Sequence, residues 1–245
     1  MSRLEALRDD VAVLARLARG MPRRASHAES LGAFYGAQSA HYDRFRERLL
    51  QGRAELIADI ALPPHAHVVE LGGGTGRNIE FFGERIARIA RYDVVDLCAP
   101  LLLRARERAR LIPPLHAVEA DATTWRPARP ADVVILSYAL TMIPDWRAAI
   151  ANAIAMLGPG GTLAVVDFHV SPVRADAGRS QHSAFTRRFW PWWFAHDGVR
   201  PSAEHLPELC RALPRNAVVE SRARVPYLPA MRVPFYRFLG RLGLD

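Results

Sequence analysis

Residues 68 to 78, Val68-Val69-Glu70-Leu71-Gly72-Gly73-Gly74-Thr75-Gly76-Arg77-Asn78, leave this chain few ways to fold. Val68, Val69 and Leu71 form a short apolar run with β-branched character, bounded by glycine, which is the pattern of a buried strand. Gly72, Gly73, Gly74 and Gly76 let the backbone turn sharply and approach a ligand with no Cβ in the way. Ile79, Phe82, Ile86 and Ile89 recur at helical spacing, so a helix is expected from Arg77 to Ile89. Its unpaired N–H groups would face whatever occupies the bend.

Such a bend alone also serves dinucleotides and phosphates. Two carboxylates narrow the choice. Glu70 lies inside the strand, where it would repel a pyrophosphate but orient a cationic or hydrogen-bond-donating ligand. Asp96 closes a second apolar run, Val94-Val95, about 20 residues beyond the last glycine, the usual place for an acid that holds ribose hydroxyls.

The pattern then alternates. A helix from Ala99 to Leu111 is expected, then a strand from Ala117 to Ala120 ending in Asp121-Ala122. Asp132 to Tyr138 has the continuous apolar character of a central parallel strand covered on both faces. Ser137 and Tyr138 fall at its carboxyl end, where open α/β sheets bind ligands. A helix to Leu157, a glycine-rich turn and a fifth strand from Thr162 to Phe168 follow. Strand and helix alternate five times, which predicts an α/β fold with a doubly wound sheet.

At this point the chain resembles the class I S-adenosylmethionine-dependent methyltransferases, whose first motif matches Glu70-Leu71-Gly72-Gly73-Gly74-Thr75-Gly76. The resemblance implies a Rossmann-like seven-stranded sheet, closed by an antiparallel pair from the last runs of the chain. It implies S-adenosyl-L-methionine as cofactor, S-adenosyl-L-homocysteine as product, and no metal. It places Glu70, Gly72, Gly73, Gly74, Gly76, Asn78, Asp96, Leu97 and Ser137 at the cofactor, Asp121-Ala122 at its adenine, and Tyr42 and Arg53 in a segment closing over it. On the residues alone, Asp121 also reads as a turn aspartate and Tyr42 as a core tyrosine.

Organisation follows. Residues 1–62 are expected as an N-terminal helical cap, with an amphipathic helix from Arg3 to Arg19, a breaker-rich linker from Pro22 to Glu29 and a helix from about Asp43 to Ala61. Residues 63–245 form the main domain, with an aromatic insertion at about 170–215. A hydrophobic content of 50% and a charged content of 24% are those of a soluble globular protein, and no apolar run approaches a membrane span. With two cysteines and no signal-like start, a cytoplasmic protein is expected.

The net charge is +8, and every basic side chain besides histidine is arginine. That excess favours an anionic partner: a membrane surface, a nucleic acid or an acidic substrate. No cysteine is expected at a strand end facing the pocket, which argues against thiol-based RNA methylation. The Asn/Asp-Pro-Pro-Tyr signature for amide or base nitrogen is also absent, its place reading Leu136-Ser137-Tyr138-Ala139-Leu140. No nucleic-acid partner is therefore expected, and a small-molecule or lipid acceptor is favoured.

Phe189-Trp190-Pro191-Trp192-Trp193-Phe194 has three readings: core packing, a cation–π wall for an ammonium group, or a bilayer-interface anchor. A closer resemblance, over roughly residues 30–240, bears on them. Tyr42-Asp43-x-x-Arg46, Leu50-x-Gly52-Arg53, Thr141-Met142-Ile143-Pro144-Asp145-Trp146, Phe189-Trp190-x-x-Trp193-Phe194-x-x-Asp197-Gly198-Val199, His205-Leu206-Pro207 and Val225-Pro226-Tyr227-Leu228-Pro229 together look like the betaine-lipid N-methyltransferases. That resemblance implies methylation of the amine of diacylglycerylhomoserine to its trimethylated form, by an enzyme peripheral to the inner face of the membrane and in contact with an anionic bilayer. Tyr138, His169 and His196 are then candidate catalytic residues, and Tyr35, Arg187, Arg188, Trp190 and Trp193 candidate substrate contacts. Another lipid or quinone methyltransferase, for example on phosphatidylethanolamine, an RNA-associated protein and a non-catalytic cofactor-binding subunit stay open.

Overall fold

Glu70 and the residues around it are placed by a sheet of seven strands, seen in a computed structural model that describes residues 26–35, 49–225 and 228–243. The strands are β1 (Ala66–Leu71), β2 (Ile89–Asp96), β3 (Leu115–Glu119), β4 (Ala131–Ser137), β5 (Leu157–Phe168), β6 (Asn216–Val225) and β7 (Leu228–Arg241). They pair in the order β3-β2-β1-β4-β5-β7-β6. The first five are parallel; β7 runs antiparallel between β5 and β6. This is the Rossmann-like class I methyltransferase arrangement, with the antiparallel pair at its edge.

Alternation explains the two layers. Val133 and Ile135 of β4 join the core on one face of the sheet, and Val134 and Leu136 join the core on the other. All four are fully buried, as a central parallel strand requires. The helices are α1 (His27–Tyr35), α2 (Arg53–Asp59), α3 (Ala99–Ala109), α4 (Trp146–Ala155), α5 (Ala184–Ala195) and α6 (His205–Ala212). Because β2 and β4 flank β1, the chain reverses its winding at β1. The crevice beyond the carboxyl ends of β1 and β4 is the position where such sheets bind ligands.

Four local expectations change. The helix expected from about Asp43 to Ala61 is interrupted at residues 50–52, where Gly52 takes a φ of 85°, and α2 runs only from Arg53 to Asp59. The stretch after the glycine bend is a 3-10 helix, Arg77–Arg88, broken where Gly83 takes a left-handed φ of 55°. Ile79 and Phe82 still enter the core, but Ile89 begins β2 instead of ending a helix. The expected linker overlaps α1, which starts at His27 with the Ser26 hydroxyl accepting the Glu29 amide at 3.1 Å. β5 begins at Leu157, so the glycine-rich turn is itself extended. The expected helix from Arg3 to Arg19 lies outside the described residues. Among the described residues no helix is long and apolar enough to cross a membrane.

Candidate active site

The glycine bend is held by its neighbours. The amides of Gly72 and Gly73 donate to the Val95 carbonyl at 2.8 and 3.2 Å, and that of Gly76 to Gly73 O at 3.0 Å. The Gly74 amide donates to Asp96 Oδ2 at 2.8 Å, while the Cys98 amide donates to Oδ1 at 2.7 Å. These amides therefore fix the bend against β2 and are not free donors for a ligand, contrary to the simplest reading of the motif. What the glycines supply is closeness. Gly72 has φ of 68°, and a Cβ there would lie 2.7 Å from the Ala139 Cβ.

Beyond the bend lies a cavity of about 260 Å³, lined by Gly72, Asp96, Leu97, Asp121, Ala122 and Tyr138. Four strand ends thus converge on it, those of β1, β2, β3 and β4. Asp121 also shapes its own turn, its Oδ1 accepting the amide and hydroxyl of Thr123 at 2.8 and 2.7 Å. Leu31 of α1, Leu101, Met142 and Ile143 complete an apolar wall, and Asp145 adds a third carboxylate. No arginine or histidine is among the described residues that line it.

Cys98 also lines this cavity, two residues past the end of β2. The expectation that no cysteine stands at a strand end beside the pocket is therefore corrected. The sequence had shown the acid closing β2 but not how tightly the next turn folds back on it.

A smaller cavity shares Gly72 and is lined by Arg53, Glu70, Gly73, Asn78 and Ser137. Glu70 is fully buried there. Its oxygens accept Asn78 Nδ2 at 2.6 Å and the Tyr92 hydroxyl at 2.8 Å. Arg53 Nη1 donates to Asn78 Oδ1 at 3.3 Å, so the guanidinium reaches the carboxylate through the amide. Burial pushes the Glu70 carboxyl up to about 7, against the lowering effect of Tyr92, Asn78 and Arg53. The Ser137 hydroxyl is buried with no protein partner among the described residues, and is open to a ligand.

Tyr138 closes β4 with a left-handed φ of 54°, rare for a residue with a side chain. Its hydroxyl donates to the Gln51 carbonyl at 2.6 Å, and its ring packs edge-on against Phe168. It lines the larger cavity, with its hydroxyl directed at the backbone preceding α2.

The remaining candidates among the described residues do not join either cavity. His169 directly follows β5. It is buried, pairs through Nε2 with Glu220 at 3.0 Å, and lines a separate small cavity. Burial and the charge of His182 lower its pKa from 6.5 to about 4. His196 is exposed at the carboxyl end of α5. Arg187 donates to the His182 carbonyl at 2.7 Å, and Arg188 is exposed. Trp190 is buried in the core; Trp193 is exposed. Tyr42 and the side chain of Tyr35 lie outside the described residues. Tyr92, Met142, Ile143 and Asp145 were not singled out as site residues from the sequence. Tyr92 carries a usable signal, since it precedes the Val94-Val95 run on the same face as Val94 and Glu70.

Comparison with known proteins agrees with this geometry. A family model described as a methyltransferase domain matches residues 42–214. The trans-aconitate 2-methyltransferase of Variovorax paradoxus strain S110 is 34% identical over 127 residues, covering 51% of this chain and 48% of that protein. The chain thus spans about half the length of the curated relatives it matches. The crystal structure of Burkholderia thailandensis 1,6-didemethyltoxoflavin-N1-methyltransferase, with S-adenosylhomocysteine bound, aligns at a TM-score of 0.60, 18% identity, and 91% and 92% coverage of the two chains. The [4+2]-cyclase SpnF aligns at 0.63, 14% identity, and 92% and 100% coverage. At these identities the structures share the fold.

Proposed function

We propose that this chain, which belongs to the methyltransferase-domain family and has the class I fold, N-methylates the amine of diacylglycerylhomoserine. The residues fit the cofactor. Asp96 and Asp121 offer acceptors beside an apolar slot, and Glu70, Asn78 and the Ser137 hydroxyl, which has no partner among the described residues, border the adjoining pocket. When bound, S-adenosylmethionine supplies an electrophilic methyl group on a sulfonium. What remains for the chain is to hold donor and acceptor together, keep water out and tolerate a cation.

The observation that carries the reading is the charge of the larger cavity. Asp145 lines it beside apolar side chains, in addition to the two aspartates assigned to the cofactor, with no cationic residue among its described lining. Such a wall favours an ammonium head and the quaternary product of its methylation. The choice of diacylglycerylhomoserine as the amine rests on the resemblance across residues 30–240.

A second reading comes from the relatives, which are named for trans-aconitate. A carboxylate acceptor of that kind would bring several negative charges toward Asp145, with no cation in the described lining to offset them, at a cost that low local dielectric enlarges. Purified protein with methyl-labelled S-adenosylmethionine, offered diacylglycerylhomoserine, phosphatidylethanolamine or trans-aconitate in parallel, separates the two by mass spectrometry. Stepwise labelling of the homoserine lipid up to three methyl groups is expected. Methyl ester formation on trans-aconitate alone, or labelling of phosphatidylethanolamine alone, would contradict the proposal.

A further inference from the structure

Helix α5 does two things with one aromatic sequence. Trp190 and Phe194 face inward and belong to the core. Phe185 is 65% exposed, Trp192 69% and Trp193 41%. Phe189 lies between them, stacked on Phe185 at 5.1 Å and on Trp193 at 5.7 Å between ring centroids. A soluble helix normally turns its polar face outward, so a contiguous outward stripe of large aromatics needs a partner.

The charge of the helix identifies that partner. Ala184–Ala195 contains Arg187 and Arg188 and no acid, and Arg188 is exposed beside the stripe. Aromatic rings flanked by arginine, with no opposing carboxylate on the helix, complement a surface that is apolar below and anionic at its rim. That describes an anionic phospholipid bilayer, where indole rings settle at headgroup depth and each arginine adds attraction. A second copy of the same cationic stripe would meet like charge.

The stripe is also joined to the cavity wall. Phe189 packs on Trp190 at 5.0 Å, Trp190 on Phe194 at 5.6 Å, Phe194 on Phe168 at 4.5 Å and Phe168 on Tyr138 at 4.7 Å. A run of rings thus leads from the exposed face of α5 to the residue that closes β4 over the cavity.

We propose that the Phe185–Phe189–Trp192–Trp193 face of α5, with Arg188, is the surface by which this protein docks on an anionic bilayer. It deepens the lipid-acceptor reading by naming the partner surface, and its test does not require turnover. Full-length protein is sedimented with vesicles of phosphatidylcholine alone and of phosphatidylcholine mixed with phosphatidylglycerol, neither containing a methyl acceptor. Wild type is expected to partition onto the mixed vesicles and to be released by high salt. The pair W192A and W193A combined is expected to weaken partitioning by about tenfold or more, since binding scales with buried apolar area. R188E is expected to weaken it by about tenfold, and only on the anionic vesicles.

S-adenosylhomocysteine affinity by calorimetry reports whether each variant keeps its fold. Brominated acyl chains quenching the tryptophan fluorescence of wild type test the contact without any substitution. Failure of wild type to bind, absence of quenching, equal binding by both variants, or loss of a soluble dimer in the double variant would each overturn the proposal. Vesicle docking with no methylation of diacylglycerylhomoserine would leave this surface standing and remove the acceptor assignment.

Discussion

Asn78 Nδ2 donates to Glu70 Oε1 at 2.6 Å, tying the end of β1 to the first turn beyond the glycine bend. Because Tyr92 and Arg53 complete the same buried group, the Glu70 carboxyl is both desolvated and well bonded. A cationic ligand beside it favours the ionised form, so S-adenosylhomocysteine, with its amino-acid tail, is expected to bind more tightly as pH rises through about 7. Below that pH, binding should release a proton, visible as buffer-dependent heat. The unliganded fold behaves oppositely. A raised carboxylate pKa means the native state holds its proton more tightly between 4.5 and about 7, so stability declines as pH climbs through that window. Glu70→Gln should flatten both profiles, and an unchanged profile would refute the assignment.

Gly72 stands at φ of 68° with Ala139 directly in the path of a Cβ. Gly72→Ala is expected to cost about 1–2 kcal/mol from the left-handed backbone alone, with cofactor affinity falling as Ala139 is displaced. Gly32→Ala is the control: nothing lies within 4 Å of its added Cβ, and it sits in helix α1. There a gain of about 0.5–1 kcal/mol is expected. Chemical denaturation and calorimetry measure both.

The Tyr138 hydroxyl is held by the Gln51 carbonyl, so it acts first as a tether for the segment before α2. Tyr138→Phe is expected to lower stability by about 1 kcal/mol while leaving turnover within a few-fold of wild type. A loss of turnover of about a hundredfold or more would instead mark the hydroxyl as part of the chemistry.

His205 is buried against Trp146, and neither ring nitrogen has a hydrogen-bond partner among the described residues. Burial, followed by the charges of His169 and Arg147, lowers its pKa from 6.5 to about 4. The unfolded chain therefore takes up a proton first as pH falls, and stability drops from pH 6.5 towards 4 at about 1.4 kcal/mol per pH unit for this group. His205→Phe keeps a ring on Trp146, and the difference between its stability profile and that of wild type should show this slope. Parallel profiles would contradict it.

The parts legible in the sequence were those with short-range signatures. Apolar runs ending on Glu70–Gly72, Asp96 and Ser137 located three strand ends, and alternation located the sheet. Asp121-Ala122 is legible as the turn after a strand, and its assignment to an adenine rests on the resemblance alone. The kind of helix after the bend was not legible: Gly83 breaks it through one backbone angle that periodicity cannot register. Nor was the direction of His169, since a residue just past a strand can point to either face. Its ring meets Glu220 and Tyr236 and lines a separate small cavity. The tryptophan run concealed two roles, because helical spacing sends Trp190 inward and Trp192 and Trp193 outward.

The most direct test of the whole account is calorimetric titration of S-adenosylhomocysteine into wild type and Asp96→Asn. Asp96 anchors the bend through Gly74 and Cys98 and lines the cavity, so its substitution bears on both the bend and the proposed cofactor site. Saturable one-to-one binding by wild type, weakened about tenfold or more in the variant, is the expected result. No binding by wild type, or equal binding by both proteins, would contradict it.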